Sequence, residues 1–348
     1  MNSRNREHEE YLKRACLNKM LENSLTSQSP SKQTIERSLK TGDVFFKKLK
    51  EGLMNKYQNQ KLIDLPGAKH FENEYGQGLK IIKTDNKRKL QIKDNTDKIY
   101  ENLKIIQGIG EKTEIKLKEK GYTNIQTLLK HDKYKIKAEK TLKQLESNDI
   151  NTKINLIKQT KNKTDLLNIS SKIPEENFKF MDIETLGLTN THIILIGIAE
   201  VKNKKIISTQ YFLQDYHEEA TILYEYFKHL NEDSIYVTFN GKCFDVPFID
   251  TRSRLYRLKQ PKLINYDLMY YARKIWGEKL PNCKLQTIES EIFDFHRIDD
   301  VPGQYIPGYW KTYKETGNIG PIIPIIKHNR IDIVNLACFL NKLIEDNI

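Results

Sequence analysis

From about residue 171 onward, apolar runs of strand length alternate with stretches of helical periodicity. The runs fall at 178–186, 192–201, 206–213 and 235–239, and a helical stretch at 218–230 joins the third to the fourth. Helical patterns follow at 245–258 and 331–344. Short apolar runs suit a sheet buried on both faces, and the period-3.6 stretches between them supply its cover. This order predicts a mixed α/β sheet, five-stranded, with helices on both faces. The strongest apolar run, 193–199, is strand length and far short of the ~20 residues of a membrane span.

Charge divides the 348 residues unevenly. Residues 1–170 hold 36 Lys and Arg against 22 Asp and Glu, a net +14, whereas 171–348 hold 22 against 24, a net −2. A positive field attracts polyanions, of which nucleic acid is the commonest. A Lys- and Asn-rich composition that merely solvates the surface explains the same charge, and charge alone does not separate the two. No apolar segment follows Arg4, Arg6 and Glu7, so no secretory signal is expected. Cys16, Cys243, Cys283 and Cys338 are scattered, which fits free thiols in a reducing cytoplasm better than disulfides or a zinc site.

The chain divides into five parts. Residues 1–60 read as a basic helical arm, broken by a polar stretch at 24–31, with an apolar stripe at Val44, Phe45, Phe46, Leu49, Leu53 and Met54. Residues 61–96 read as a small β-hairpin region, with strand-like runs at 79–82 and 90–92 between turn signals. Residues 97–150 read as a helical module. Its helices at 97–106 and 111–120 flank Gly108-Ile109-Gly110, Gly121 ends the second, and Thr123 caps a further short helix through Leu129. A connector at 151–170 leads to the α/β region, 171–348.

Three elements of the α/β region carry acids. Asp182 and Glu184 are two apart on an apolar strand and so share a face, where two carboxylates repel unless solvent or a cation lies against them. Asp245 follows a second apolar strand and the turn residues Asn240-Gly241, opening a helix whose positive end suits its charge. His328 and Asp332 are four apart near the start of the last helix and stack on one face. Alone, each has a plain structural explanation: an edge strand, a capping aspartate, a local helix pair. Together they offer four carboxylates and a histidine, the oxygen-rich set that two-cation phosphoryl transfer requires.

With these motifs in this order, the chain resembles the DEDD (DnaQ-like) 3′–5′ exonucleases of the ribonuclease-H-like fold, and among them the YprB-type proteins. The likeness rests on Asp182-Ile183-Glu184, Asn240-Gly241 through Asp245, and His328-Asn329 through Asp332. It extends to Asp267-Leu268, Leu280 through Leu285, and Arg297 through Asp299, Asp300 and Gly303, covering about residues 175–345. The histidine subgroup places its histidine five residues before the last aspartate. Here the gap is four, as in the tyrosine subgroup, so the resemblance puts His328 in the place of that tyrosine.

The resemblance implies two-metal hydrolysis with Mg²⁺ or Mn²⁺. Asp182 would bridge both ions, Glu184 and Asp332 would hold the ion carrying the attacking water, and Asp245 would hold the other. His328, with an unperturbed pKa near ~6.5, would orient or deprotonate that water. Asn240 would touch the end nucleotide, and Lys284 and Arg297 would meet phosphates. Asp267 is a further acid whose simpler use is a strand-end or helix cap.

Residues 105–121 resemble a helix-hairpin-helix motif. Gly108 and Gly110 let the backbone approach a phosphate, the following helix presents its positive end, and Lys112 and Lys116 add charge. The expected protein is therefore a cytoplasmic, metal-dependent nuclease acting on DNA or RNA, as a 3′–5′ exonuclease on a single-stranded end. An endonuclease of the same fold and a non-catalytic nucleic-acid-binding adaptor are the alternatives. No membrane partner is expected.

Overall fold

The computed structural model describes residues 32–147, 149–158, 164–297 and 300–347. The first elements are α1 (Lys32–Lys56), β1 (Ala68–Asn73), β2 (Gly76–Asp85), α2 (Asp97–Glu101), α3 (Glu111–Glu119), α4 (Lys135–Glu146), α5 (Ile150–Lys158) and α6 (Asp165–Asn168). Next come β3 (Phe178–Thr185), β4 (Ile193–Lys202), β5 (Lys205–Phe212), α7 (Glu219–Phe227), β6 (Ile235–Thr238), α8 (Asp245–Leu255) and β7 (Ile264–Asp267). The chain ends with α9 (Leu268–Trp276), α10 (Leu285–Phe293), α11 (Ile306–Thr316) and α12 (Ile323–Asp346). The stretch predicted as a polar break, 24–31, and Cys16 lie outside the described residues. Among the described residues, Cys243, Cys283 and Cys338 form no disulfide.

The contacts divide the chain into two compact units. One combines the residues up to Lys89 with Phe178–Cys338, and the other combines Leu90–Asn177 with Phe339–Ile348. Residues 68–85 belong to the α/β unit, because β2 pairs along β5 from Leu79↔Phe212 to Asp85↔Ile206. Leu79 and Ile81 are wholly or almost wholly buried there, and an uncovered β5 would expose a row of unpaired backbone groups. Residues 90–92 form no strand.

The sheet accordingly has seven strands rather than five, in the order β1-β2-β5-β4-β3-β6-β7. From β1 to β3 all neighbours are antiparallel, while β3, β6 and β7 run parallel. Nine of the ten residues of β4 are buried, as befits its central place and its unbroken apolar run. Helix α12 covers the face bearing Asp182, where its Asn329 reaches Asp182 and Gln210. Helix α7 covers the other face, where Tyr226 bonds Tyr236 across from it. On that second face a buried polar chain links Lys179 to Glu200 at 2.7 Å, Glu200 to His229 at 2.7 Å, and His229 to Tyr211 at 2.6 Å. Burial pushes the Glu200 carboxyl up, but His229 and Lys179 outweigh it and hold it well below the usual carboxylate range.

The second unit contains the glycine hairpin. The helix expected at 97–106 stops at Glu101 and resumes as a 3₁₀ turn at Leu103–Ile105. Asn102 makes the break: its backbone leaves the helical region and its side chain accepts the Lys104 N–H at 3.2 Å. Gly108 has φ +96°, a conformation that side chains disfavour, and Lys137 Nζ donates to Gln107 O at 2.9 Å to pin the turn. Helix α3 ends as expected at Gly121, with Tyr122 N bonded to Leu117 O and Gly121 N to Lys118 O. The next short element is a 3₁₀ turn, Thr127–Lys130, preceded by a cap from Asn124 rather than Thr123, since Asn124 Oδ1 accepts the Thr127 N–H.

Candidate active site

The acids expected to act together do adjoin one another along β3. Pairing between β3 and β6 ends at Phe180↔Val237, so the next stretch of β3 needs another partner for its N–H groups. Asp245, the first residue of α8, supplies one: its Oδ1 accepts the Ile183 N–H at 3.1 Å, so a buried carboxylate bonds the backbone of the residue between Asp182 and Glu184. On the sheet face Asp182 stands opposite Gly197, and Glu184 stands opposite Leu195. Asn329 Nδ2 donates to Asp182 Oδ2 at 3.0 Å. Helix α12 brings His328 Nε2 to 3.3 Å from Asp332 Oδ2 and 3.9 Å from Glu184 Oε1. His328 thus faces Asp332 and Glu184, Asn329 holds Asp182, and Asp245 bonds the strand backbone.

Cationic side chains already balance this cluster. Arg297 grips Glu289 through two bonds, at 2.6 and 2.8 Å, and also donates to Asp332. Asn335 completes the support by donating to Glu289 at 2.5 Å. Burial pushes the Asp332 carboxyl up, but His328 and Arg297 outweigh it and leave it below its ordinary value. Burial pushes the His328 imidazole down, yet Asp332, Asp300 and Glu184 hold it well above its ordinary value. Its Nδ1 lies 2.5 Å from Asp300 Oδ1 and its Nε2 3.3 Å from Asp332 Oδ2, so both ring nitrogens face acids.

Other expected contacts are redistributed. Arg297 has a side chain only 5% exposed, and its ion-pair partners are Glu289, Asp300 and Asp332. Asp267 has the capping use that was the simpler expectation: it accepts from Met269 N and also from Asn240 N at 2.8 Å and Lys242 N at 3.1 Å. It thereby shapes the turn in which Asn240 adopts φ +62°. Burial raises the Asp267 pKa despite those three donors. Lys284 is half-buried at the start of α10, and no hydrogen bond or ion pair joins it to the four carboxylates. Asp299 lies outside the described residues. In the hairpin, Gly110 faces open space and Lys112 is exposed, while Glu111 places a negative charge on the first turn of α3.

Sequence reasoning named Asn329 within the third motif but gave it no role, and it passed over Gln210, Gly197 and Glu289. A glycine inside an apolar strand run signals a close backbone approach, and Gly197 was legible on that ground.

Residues 179–344 match the RNase_H_2 family model, described as RNase_H superfamily. The seven-stranded mixed sheet with its flanking helices is consistent with a ribonuclease-H-like fold. A similar curated protein is "Uncharacterized protein YprB" of Bacillus subtilis (strain 168), 30% identical over 168 residues. The shared stretch is 47% of this chain and 40% of the relative, so the chain spans well under two thirds of that protein's length. Among the described residues, no helix is long and apolar enough to cross a membrane.

Ribonuclease-H-like nucleases use divalent metal ions, and the donor chemistry here suits them: four carboxylates, all hard oxygen donors. The geometry differs from a finished cage. Among the described residues, no three His, Cys, Asp or Glu side chains already stand in metal-holding positions. Asp332 would have to exchange the Arg297 and His328 contacts for a cation.

Proposed function

We propose that this protein is a metal-dependent 3′–5′ exonuclease that hydrolyses phosphodiester bonds at single-stranded ends of DNA or RNA. The observation that carries the reading is the Asp245–Ile183 bond, which ties a carboxylate from α8 to the β3 backbone at the residue between Asp182 and Glu184. In this reading Asp182, Glu184 and Asp332 hold one Mg²⁺ or Mn²⁺, and Asp182 and Asp245 hold the second. When bound, the ions supply Lewis-acid stabilisation of charge on the attacking and leaving oxygens.

The chain's own groups do the remaining work. Asp245 is fixed by the β3 backbone, Asp182 by Asn329, and Asp332 by Arg297 and His328. His328 orients or deprotonates the attacking water. Asn240 and Lys284 lie on the two turns that lead into α8 and α10, where they meet the end nucleotide and its phosphates. The helix-hairpin-helix grips the backbone through Gly108, Gly110 and Lys112, without reading base sequence. The protein acts in the cytoplasm.

One observation favours a second reading, a nucleic-acid-binding adaptor: Arg297 neutralises Asp332 in the way a cation would. The test is a time course on linear and circular oligonucleotides labelled at each end, with Mg²⁺, with Mn²⁺ and with chelator. Chelator-sensitive shortening from the 3′ end of linear substrate supports the exonuclease. Cleavage of circles makes the protein an endonuclease, and tight binding without cleavage makes it an adaptor.

A further inference from the structure

Asp182, Gly197 and Gln210 stand side by side across β3, β4 and β5, since Asp182 pairs with Gly197 and Gly197 with Gln210. Directly opposed residues share a face of the sheet. Asn329 of α12 lies over the middle of this row and is wholly buried. Its Nδ2 donates to Asp182 Oδ2 at 3.0 Å and to Asp182 O at 3.1 Å. Its Oδ1 accepts from Gln210 Nε2 at 2.9 Å, and the same Nε2 donates to Ile326 O at 2.8 Å.

The polarity of this chain is determined by its ends. Gln210 offers its amide N–H groups to two oxygens, so the oxygen of Asn329 must face Gln210 and its NH₂ must face Asp182. A turned amide would set two oxygens against each other at the Asp182 carboxylate. The middle of the row must also be empty. A Cβ at position 197 would stand 2.1 Å from Asn329 Oδ1, so any side chain there would displace the amide.

We propose that Asn329 is a positioning residue that presents the Asp182 carboxylate for cation binding, and that Gly197 and Gln210 serve to hold Asn329. The inference rests on the reading of Asp182 as a metal ligand. A carboxylate held by a buried amide has already lost its rotamer freedom, so little further ordering opposes uptake of a cation.

The test uses the full chain, Mn²⁺ alone as the binding probe, and an end-labelled single-stranded oligonucleotide as substrate. The variants are Asn329→Asp, Asn329→Ala, Gly197→Ala, the double variant Gly197→Ala/Asn329→Ala, and Asp182→Ala. Folded Asn329→Asp is expected to bind Mn²⁺ roughly 10- to 100-fold more weakly, with a matching fall in kcat and little change in KM. Gly197→Ala should reproduce the loss, and the double variant should be no worse than Asn329→Ala, since both act through one contact. A merely structural Asn329 would lower the melting temperature without moving Mn²⁺ affinity, and that result overturns the inference. If the Asn329 variants do not fold, Gln210→Ala decides: weaker Mn²⁺ binding supports the inference and wild-type affinity overturns it. Asp182→Ala separates the levels. If it loses binding and cleavage while the Asn329 variants match wild type, only the positioning role falls. If Asp182→Ala itself matches wild type, the nuclease-site reading falls and takes this inference with it.

Discussion

Arg297 donates to Asp332 where both side chains are more than nine-tenths buried. The same guanidinium is bidentate on Glu289, itself 1% exposed, so one cation is shared between two interior acids. Burial lowers the Arg297 pKa, but Asp332, Glu289 and Asp300 outweigh it and keep the group charged. An interior acid without its cation is costly, because nothing replaces the water it gave up.

Replacement of Arg297 by Met should therefore destabilise the protein by about 3–5 kcal/mol. Arg297→Lys should recover only part of this, because an ammonium cannot grip Glu289 in a planar fork. Urea unfolding of the three proteins measures it. An Arg297→Met variant within about 1 kcal/mol of wild type would show that the pair carries no such energy.

At the proposed metal site, Asp182→Asn and Asp332→Asn keep shape and remove charge. Each should reduce hydrolysis by more than about a hundredfold, the upper range for groups that only support a ligand. Oligonucleotide affinity, read by gel shift in chelator, should change little. Residual cleavage near the wild-type rate in either variant would remove that residue from the site.

Glu200 gives a pH dependence. Its folded pKa is depressed, so its contribution is present above the unfolded value near ~4.3 and is lost as pH falls toward the folded value. Glu200→Gln should cost about 2 kcal/mol at pH 7, the scale of a hydrogen bond to a charged group. The gap from wild type should narrow as pH drops below ~5. Denaturant melts from pH 3 to 7 measure it, and a constant gap would contradict the assignment.

The hairpin predicts a salt effect. Lys112→Ala should lower the slope of log affinity against log salt by about 0.7 on a single strand. Gly108→Ala should cost about 1 kcal/mol or more of stability, because its φ of +96° disfavours a side chain. Oligonucleotide titrations across a KCl series test the first, and thermal melts test the second. An unchanged slope would remove Lys112 from the nucleic-acid contact.

Local periodicity was enough to locate β3 to β6, to place Asp182 and Glu184 on one face, to open a helix at Asp245 and to end α3 at Gly121. Such features depend on neighbours within a few residues, and the order of side chains along the chain carries that information. Other features depend on partners far away in sequence. Arg297 reads as a surface cation until Asp332, 35 residues on, takes it inside. His328 reads as a neighbour of Asp332 alone until the fold brings Asp300 and Glu184 to it. The hairpin at 68–85 reads as a separate piece until β5 offers an edge. The row from Asp182 through Gly197 to Gln210 exists only once strand register is chosen, because lateral pairing brings together residues that no local pattern relates.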